Sequence, residues 1–396
     1  MTKPKIKRAL VLSYSNISRD SRVLRQVDWL VSDNYIVDAA GLGSSPKGVE
    51  TYISITPPSL GIRLLTYIFL SSKRRGLAIL KQFYKSNVFE WIAQGKYETV
   101  ILNDLDFLGV DEIFSSASRS NTPVYLDLHE YFPDQGVSFL FQALNGRYYK
   151  YLQSLILTRE FSGCITVSSD IASLYEKALN LSMTSVENIP NEEIVDGDSS
   201  LTNTQEGTLD VNAIQLVYHG NSGKGRGLNH LVWAMRKVNS GVILNLVLTG
   251  SPFHRKLLEW ISFIAGVKGS VKFWPPVKPE EVTRYLKQFD LEVIYFPPPH
   301  SVSKLYSFPN KFFEALSAGL GIIVGPSPSM SKIVDKYQCG ITLESWDVSH
   351  LRKTLNGIIA RNQVTFWKSN STKALDEFDL NTTRKRFLDL VTGGAH

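Results

Sequence analysis

The segment FPNKFFEALSAGLG, residues 308–321, places one acid near the start of an otherwise apolar helix. Pro309 suits the first turn of a helix because proline lacks the backbone N–H that this turn would leave unpaired. The N–H groups near Asn310 and Lys311, together with the helix dipole, then form a site for an anion. If a diphosphate bound there, Glu314 could accept hydrogen bonds from the two vicinal hydroxyls of a ribose. For this segment alone, a plain amphipathic core helix with one solvated acid is the alternative.

A glycine-rich loop provides a second candidate anion site in the same half of the chain. Residues 216–235, LVYHGNSGKGRGLNHLVWAM, read as a strand, a loop and a helix. Lys224 and Arg226 add positive charge at the helix start, and the glycines allow the backbone to approach a ligand. The loop lacks the G-K-[ST] of a Walker motif, and a flexible turn is the alternative. Because both segments follow strands, we expect them to clamp a nucleotide diphosphate together. The glycines are Gly220, Gly223, Gly225 and Gly227.

A histidine follows a strand in the first half of the chain. In VYLDLHEYFPD, residues 124–134, His129 stands between the acids Asp127 and Glu130. Its place after a strand and beside two acids favours a role in an active site. A structural histidine is the alternative.

Two aspartates with D-x-D spacing form a candidate metal site. Asp104 and Asp106 lie in ILNDLDFLG, residues 101–109. Such a pair could hold a sugar nucleotide through Mn²⁺ or Mg²⁺. The alternative, that these loop acids cap the next helix, is the interpretation that we favour.

The elements that must position these residues alternate between short apolar strands and amphipathic helices, a pattern typical of parallel sheets with helices on both faces. Ser18 and Asp20 open the first predicted helix. Ligands of such sheets bind at the carboxyl ends of the strands, where the motifs lie. The predicted strands are 8–15, 36–40, 99–102, 124–128 and 164–167 in the first half, and 215–219, 243–249, 271–274, 291–296 and 321–324 in the second.

The chain of 396 residues is long enough for two domains. A polar, acidic stretch follows residue 191 and reads as a linker. We therefore predict a first domain at 1–191, a linker at 192–212, a second domain at 213–372 and a C-terminal helix at 373–396. The fold class that we expect is α/β, with two Rossmann-like, doubly wound domains facing a cleft.

Composition limits the setting in which the protein works. There are two cysteines, which argues against a disulfide framework or a zinc cluster and suits a reducing compartment. No apolar run reaches the roughly 20 residues that cross a bilayer, and the basic N-terminus precedes an ordinary strand. We expect a cytoplasmic protein.

Positive charge is concentrated in two segments. Residues 59–85 carry six basic side chains and no acid, and residues 140–159 add three more, again without an acid. Their apolar and aromatic neighbours fit the interface of an anionic membrane, and we expect a peripheral contact with its inner face. Solvated helix faces are the alternative, and no nucleic-acid-binding motif is present.

Several motifs together resemble a known family. RDSRVLRQVDWLVSDNYIVDAAG, residues 19–41, resembles the opening of bacterial glycosyltransferases with the GT-B fold. LNDLDFL, YLDLHEYFPD, HGNSGKGRGL and FPNKFFEALSAGLGIIVG are similar, in order, to segments of family-four retaining glycosyltransferases. The resemblance covers nearly the whole chain.

The resemblance implies a role for each candidate residue. The N-terminal domain, 1–191, would bind the acceptor, and the C-terminal helix, 373–396, would cross back to it. The C-terminal domain, 213–372, would bind the nucleotide sugar, with the ribose on Glu314 and the diphosphate on the Pro309–Lys311 backbone. Arg226 would supply charge to the departing diphosphate, and His129 would contact the donor sugar. Residues expected to bind the donor are Gly220, Asn221, Lys224, Arg226, Val277, Pro309, Asn310, Lys311 and Glu314, with Val277 near the base. Residues expected on the acceptor side are Asp20, Arg22 and Glu130.

The function that this resemblance implies is a metal-independent hexosyltransferase that retains configuration. It would move a sugar from a nucleoside diphosphate, UDP rather than GDP, to a glycan or lipid-linked glycan in bacterial surface polysaccharide synthesis. No cofactor is expected.

Three positions depart from the family pattern. Tyr306 occupies the first position of the usual E-x7-E pair, Asn221 stands where an arginine is common, and Gly321 replaces a frequent proline. A degenerate nucleotide-binding partner of an active transferase, or a sugar-nucleotide epimerase, is therefore an alternative function.

Overall fold

The computed structural model divides the chain into two compact units. The described residues are 7–56, 82–134, 150–189, 209–223, 225–239, 241–278, 281–298, 301–361 and 363–393. One unit comprises Met1–Asn188 with Asn381–His396, and the other comprises Ile189–Leu380. Some predicted features lie wholly or partly outside the described residues, namely Lys224, the linker at 192–212 and the basic segments 59–85 and 140–159.

The first unit is built on a parallel sheet, whose order among the described residues is β3-β2-β1-β4-β5-β6-β7. Every residue of β4 and β5 is buried, which is why these strands read in the sequence as mostly apolar runs, with Thr99, Asn103 and Asp127 as buried polar positions. The strands are β1 (Lys7–Asn16), β2 (Tyr35–Leu42), β3 (Val49–Ser54), β4 (Thr99–Asn103), β5 (Val124–Leu128), β6 (Gly163–Thr166) and β7 (Thr184–Ser185).

The helices of this unit begin with α1, whose start the sequence indicates well. The Asp20 carboxylate caps this helix by accepting hydrogen bonds from the backbone N–H groups of Arg22 and Val23. Ser18 lies in a 3-10 turn just before it. The helices are α1 (Ser21–Ser32), α2 (Val88–Ala93), α3 (Asp111–Ser120) and α4 (Ser169–Leu179), and residues 150–158 are also helical.

The second unit repeats this plan with the strand order β10-β9-β8-β11-β12-β13 among its described residues. In both sheets the order turns back at the first strand of the unit, as in doubly wound folds. The two sheets therefore confirm the predicted α/β class with two doubly wound domains. The strands are β8 (Ile214–Asn221), β9 (Val242–Thr249), β10 (Val271–Trp274), β11 (Leu291–Ile294), β12 (Gly321–Val324) and β13 (Gly340–Thr342).

The helix that carries Glu314 is anchored by aromatic side chains. Phe312 and Phe313 are fully buried, and both rings lie close to the ring of Phe308 at centroid distances of 5.2 and 5.7 Å. This packing fixes the helix on one face of the sheet. The helices of the unit are α5 (Leu228–Ala234), α6 (Pro252–Ile264), α7 (Val282–Leu286), α8 (Val302–Tyr306), α9 (Asn310–Ser317), α10 (Pro328–Tyr337), α11 (Val348–Arg361) and α12 (Val364–Leu375).

The last helix, α13 (Leu380–Val391), packs on the first unit. The ring of Phe387 lies 5.4 Å from that of Trp29, and Arg386 Nη1 donates to the Ser185 carbonyl at 2.6 Å. Among the described residues, no helix combines the length and the apolarity that crossing a bilayer requires.

Candidate functional site

Those predicted donor residues of the second unit that the structure describes lie near the carboxyl end of β8. His219, Gly220 and Asn221 end this strand, and α9 begins nearby at Asn310. Pro309 is the residue before the helix, and its side chain offers no acceptor to the N–H groups of the first turn. The helix start can therefore receive an anion at this edge of the sheet.

The central group of the site is a histidine between two carboxylates. The ring of His219 lies with Nε2 2.7 Å from Glu314 Oε2 and with Nδ1 2.9 Å from Glu292 Oε2. His219 and Glu292 are buried, whereas 24% of the Glu314 side chain is exposed. Burial acts against protonation of the ring, but the two carboxylates outweigh it and raise the pKa of His219 to about 9. The imidazolium can then donate to both acids and fix the orientation of Glu314.

Lys311 completes this network with its side chain. Its Nζ donates to the His219 carbonyl at 2.5 Å, lies 3.8 Å from Glu292 Oε1 and sits 3.3 Å from the centroid of the Tyr218 ring. Burial lowers the pKa of Lys311 to about 7, an effect that Glu292 opposes and Arg226 reinforces. The side chain thus belongs to the interior of the unit, while its backbone lies in the first turn of α9.

The glycine-rich loop passes beside this network. Gly220 has a φ of +112°, which an L side chain rarely adopts, and its backbone lies against the Lys311 side chain. The Asn221 side chain accepts from the N–H of Gly223 at 2.7 Å, so it shapes the loop. Arg226 lies half-buried with its guanidinium carbon 5.4 Å from the centroid of the Phe296 ring. Because α5 is short, the positive charge here comes mainly from Arg226 rather than from a helix dipole.

Val277 is also brought to this edge of the sheet. It lines a small cavity of about 50 Å³ together with His219 and Gly220, and the side chains of Val282 and Tyr285 close the other side. Val277 therefore lies next to the end of β8, where the glycine-rich loop begins.

His219 and Glu292 were not predicted as site residues. A signal for them exists in the sequence, because both interrupt apolar strands, in LVYHG and LEVIYF. A charged residue in a buried strand needs a partner, and β8 and β11 are neighbours in the sheet.

The first unit holds a second polar network at the ends of β4 and β5. Arg22 binds Asp127 with two hydrogen bonds, from Nε to Oδ2 and from Nη2 to Oδ1, both at 2.8 Å. Both side chains are buried. Gln26 donates to Asp127 Oδ2 at 2.6 Å and to Asn103 Oδ1 at 3.0 Å. Arg22, expected on the acceptor side, is therefore held inside the unit, where it also donates to the Val186 carbonyl at 2.6 Å.

His129 stands at the exposed end of this network. Its Nε2 lies 3.0 Å from Asn103 Oδ1, its Nδ1 lies 3.4 Å from Asp104 Oδ2, and 17% of the side chain is exposed. The ring is therefore oriented by two neighbours and still reachable from solvent. Glu130 has an exposed side chain, and its carbonyl accepts from the Tyr175 hydroxyl at 2.7 Å.

The D-x-D pair is arranged around the backbone rather than as a chelate. Asp104 adopts a φ of +61° and accepts from the His129 N–H at 3.1 Å. Burial raises the pKa of Asp104, and the His129 ring acts against this shift. Asp106 begins the 3-10 turn Asp106–Gly109. In the part of the chain that the structure describes, no group of three or more His, Cys, Asp or Glu is placed to hold a metal ion.

The two cysteines lie apart, one in each unit, and both are free and buried. Burial raises the pKa of the Cys164 thiol to about 12 and that of Cys339 to about 11. Neither thiol is activated as a nucleophile.

Part of the second unit is similar to a known protein family. Residues 213–361 match the family model described as Glycosyl transferases group 1. Comparison with curated proteins gave no match.

Similar solved structures cover nearly the whole chain. Sucrose-phosphate synthase from Thermosynechococcus elongatus is 13% identical, with a TM-score of 0.72 over 97% of this chain and 98% of that one. HepE from Anabaena in complex with UDP-glucose is 15% identical, with a TM-score of 0.69 over 98% of this chain and 99% of that one. WaaG, a glycosyltransferase involved in lipopolysaccharide biosynthesis, is 14% identical, with a TM-score of 0.65 over 98% of this chain and 100% of that one. Residues 213–361 are therefore similar to a group 1 glycosyl transferase domain, and the fold of the chain is like that of the GT-B glycosyltransferases.

Proposed function

We propose that the protein is a retaining glycosyltransferase that uses a nucleoside diphosphate sugar, with UDP rather than GDP as the carrier. The observation that carries this proposal is the position of the Glu314 carboxylate. Its Oε2 lies 2.7 Å from His219 Nε2, and it belongs to α9, the helix whose start can receive an anion. Among the hydrogen bonds of the described residues, Glu314 uses its Oε2 oxygen, and its side chain is 24% exposed. The carboxylate can therefore accept from the vicinal hydroxyls of a ribose.

The charges around this carboxylate suit the breaking of a sugar–phosphate bond. As the bond breaks, negative charge grows on the diphosphate, and fixed donors stabilise it without reorganising. The α9 backbone and Arg226 would provide these donors. The acceptor hydroxyl would attack the anomeric carbon from the face that the diphosphate leaves, and its proton would pass to a diphosphate oxygen. In this scheme no carboxylate nucleophile is needed, and His129 would contact the donor sugar.

HepE supports the choice of carrier, since that protein is described in complex with UDP-glucose and has a similar fold. A hexose is accordingly the sugar that we propose. Arg226 and the α9 backbone supply the positive charge that a metal would otherwise bring, so we propose turnover without a metal.

For the acceptor, we propose a glycan or a lipid-linked glycan of a bacterial surface polysaccharide. The basic and apolar segments 59–85 and 140–159 motivate this choice, as does the involvement of WaaG, a protein of similar fold, in lipopolysaccharide biosynthesis. The enzyme would then work in the cytoplasm, at the inner face of the membrane.

A nucleotide-binding protein without catalysis is the second candidate. The Asn221 side chain bonds to the N–H of Gly223 at 2.7 Å, so it is turned into its own loop. Tyr306, at the end of α8, stands where the related enzymes have an acid. These two positions favour a degenerate site that still holds the nucleotide.

A screen of nucleotide sugars decides between these functions. The full chain is incubated with UDP- and GDP-sugars, with and without membrane-derived glycan acceptors, and the products are identified by mass spectrometry. Release of nucleoside diphosphate with transfer of the sugar supports the proposal. Calorimetric binding without turnover supports the degenerate site, and an altered nucleotide sugar formed without acceptor identifies an epimerase.

A further inference from the structure

Helix α6 presents a row of large apolar side chains to solvent. The exposed fractions are 72% for Phe253, 42% for Leu257, 60% for Trp260, 70% for Phe263 and 50% for Ile264. Four of them recur at the spacing of one helix face, 253, 257, 260 and 264. The ten exposed large hydrophobic residues among the described ones thus include five from this single helix.

The opposite face of α6 is packed as expected, so the exposed row is a property of the folded unit. Leu258 and Ser262 are buried against the unit. Arg255 Nη1 donates to the Trp274 carbonyl at 3.0 Å, which ties the helix to the edge strand β10. A contiguous exposed apolar face of this kind marks an interaction surface.

The charges around the row are positive. Residues 260–278 contain three lysines and no acid, and the one acid of the helix, Glu259, is paired with Arg255 at 3.0 Å. Lys256 lies on the exposed side of α6, and Lys268 is exposed four residues after the helix ends. Basic residues flanking Trp, Phe and Leu are the composition of a helix that lies in the interface of a membrane with anionic lipids.

We propose that the exposed face of α6 is a docking surface for an anionic lipid bilayer. The aromatic rings would enter the headgroup region, and Lys256 and Lys268 would contact lipid phosphates. The alternative occupant of this surface is a second copy of the same chain. Pairing this face with itself would bring the lysines of two copies together, whereas anionic headgroups accommodate the rings and the charges at once.

The position of α6 gives this surface a consequence for the donor site. The helix begins just after β9, whose last residue Thr249 pairs with Asn221 at the end of β8. A bilayer bound to α6 would therefore hold the second unit at the membrane with the start of the helix close to the nucleotide loop. This surface is formed by other residues than the basic segment 59–85, and the proposal does not depend on the proposed reaction.

The test is binding of the full chain to vesicles of phosphatidylglycerol with phosphatidylcholine, compared with phosphatidylcholine alone. We expect sedimentation with the anionic vesicles, weakened by salt. The double variant Trp260→Ser, Phe263→Ser should lower the partition coefficient by tenfold or more. Reversal of Lys256 and Lys268 to Glu should lower it by about fivefold for each charge lost. The matched controls are Phe366→Ser, an exposed aromatic of α12, and Lys353→Glu on α11, and both should bind as the wild type does.

Folding is checked by circular dichroism and thermal unfolding, which the α6 variants should leave unchanged. The proposal is overturned if wild-type chain ignores anionic vesicles, or if the α6 variants bind as well as the controls. Loss of binding only in Arg74→Glu, Arg75→Glu chain would assign the membrane contact to the other segment. A dimer in analytical ultracentrifugation that the Trp260→Ser, Phe263→Ser change abolishes, without vesicle binding, would assign the face to a second copy.

Discussion

His219 orients Glu314 through the contact between Nε2 and Oε2 at 2.7 Å, and Glu292 holds the other nitrogen of the same ring at 2.9 Å. The acid that sequence motifs single out is therefore the exposed end of a buried chain of charges.

Replacement of Glu314 by Ala should weaken binding of the nucleoside diphosphate, because hydrogen bonds to a charged group contribute roughly 1.5–3 kcal/mol each. Isothermal calorimetry with UDP measures this loss. Glu344→Ala, which removes an exposed acid of the same unit, is the matched control and should leave the affinity unchanged. Equal affinity of a folded Glu314→Ala protein would remove Glu314 from the site.

The His219 ring should remain protonated at pH 8, because its pKa is raised to about 9. NMR titration of the imidazole signals, assigned with a His219→Gln variant, measures this value. Glu292→Gln removes the carboxylate that raises the pKa of His219 most, and it should move the midpoint toward the ordinary value of 6.5. A wild-type midpoint near 6.5 would show that the two carboxylates do not hold the ring as described.

Stability should depend on pH in opposite ways for His219 and Lys311. The raised pKa of His219 stabilises the fold below 6.5, and this contribution disappears as the pH rises to about 9. The lowered pKa of Lys311 makes stability rise with pH between about 7 and 10.5. The Lys311→Met variant removes the second effect, so its free energy of unfolding should fall more steeply than that of the wild type between pH 7 and 9, by at most a few kcal/mol. Urea unfolding at several pH values measures this, and parallel curves would contradict it.

His129→Ala should lower turnover by about tenfold or more while it leaves the affinity for UDP nearly unchanged, since His129 belongs to the unit that we propose for the acceptor. The two measurements are the initial rate with the donor found by the screen and the UDP affinity. His129→Gln, which keeps a polar side chain of similar reach, should recover part of the rate. Equal losses in rate and affinity would indicate a structural histidine.

Turnover should survive removal of divalent metal ions, because Arg226 and the start of α9 supply the positive charge. The rate is measured after dialysis against EDTA and again after addition of Mn²⁺ or Mg²⁺. If chelation stops the reaction and metal restores it, Asp104 and Asp106 become the better candidate site, and Asp106→Asn should then abolish the rescue.

The sequence predicts the strands that carry the site well, because apolar residues dominate the buried central strands and single polar residues such as Asp127, His219 and Glu292 do not break the pattern. It misses β3, β7 and β13, which are short or lie at the sheet edges. Half of the residues of β3 are exposed and none is buried, so the strand shows no apolar run, and β7 has only two residues.

Prediction of the site was limited by partners far apart in the chain. The helix with Glu314 could be recognised locally, from Pro309 and the apolar residues that follow. The contacts of His219 with Glu292 and Glu314 span 73 and 95 residues, so only the fold brings them together. In the same way Arg22, recognised as part of a motif, finds its buried partner Asp127 across 105 residues.

One buried thiol in each unit allows the local unfolding of that unit to be followed by thiol labelling. Cys164 lies in the first unit and Cys339 in the second, and both must leave the interior before a thiol reagent can reach them. Because the chain has only these two cysteines, identifying the labelled cysteine identifies the unit that opened. The rate at which each thiol reacts under native conditions therefore measures the opening free energy of its own unit, without any engineered probe.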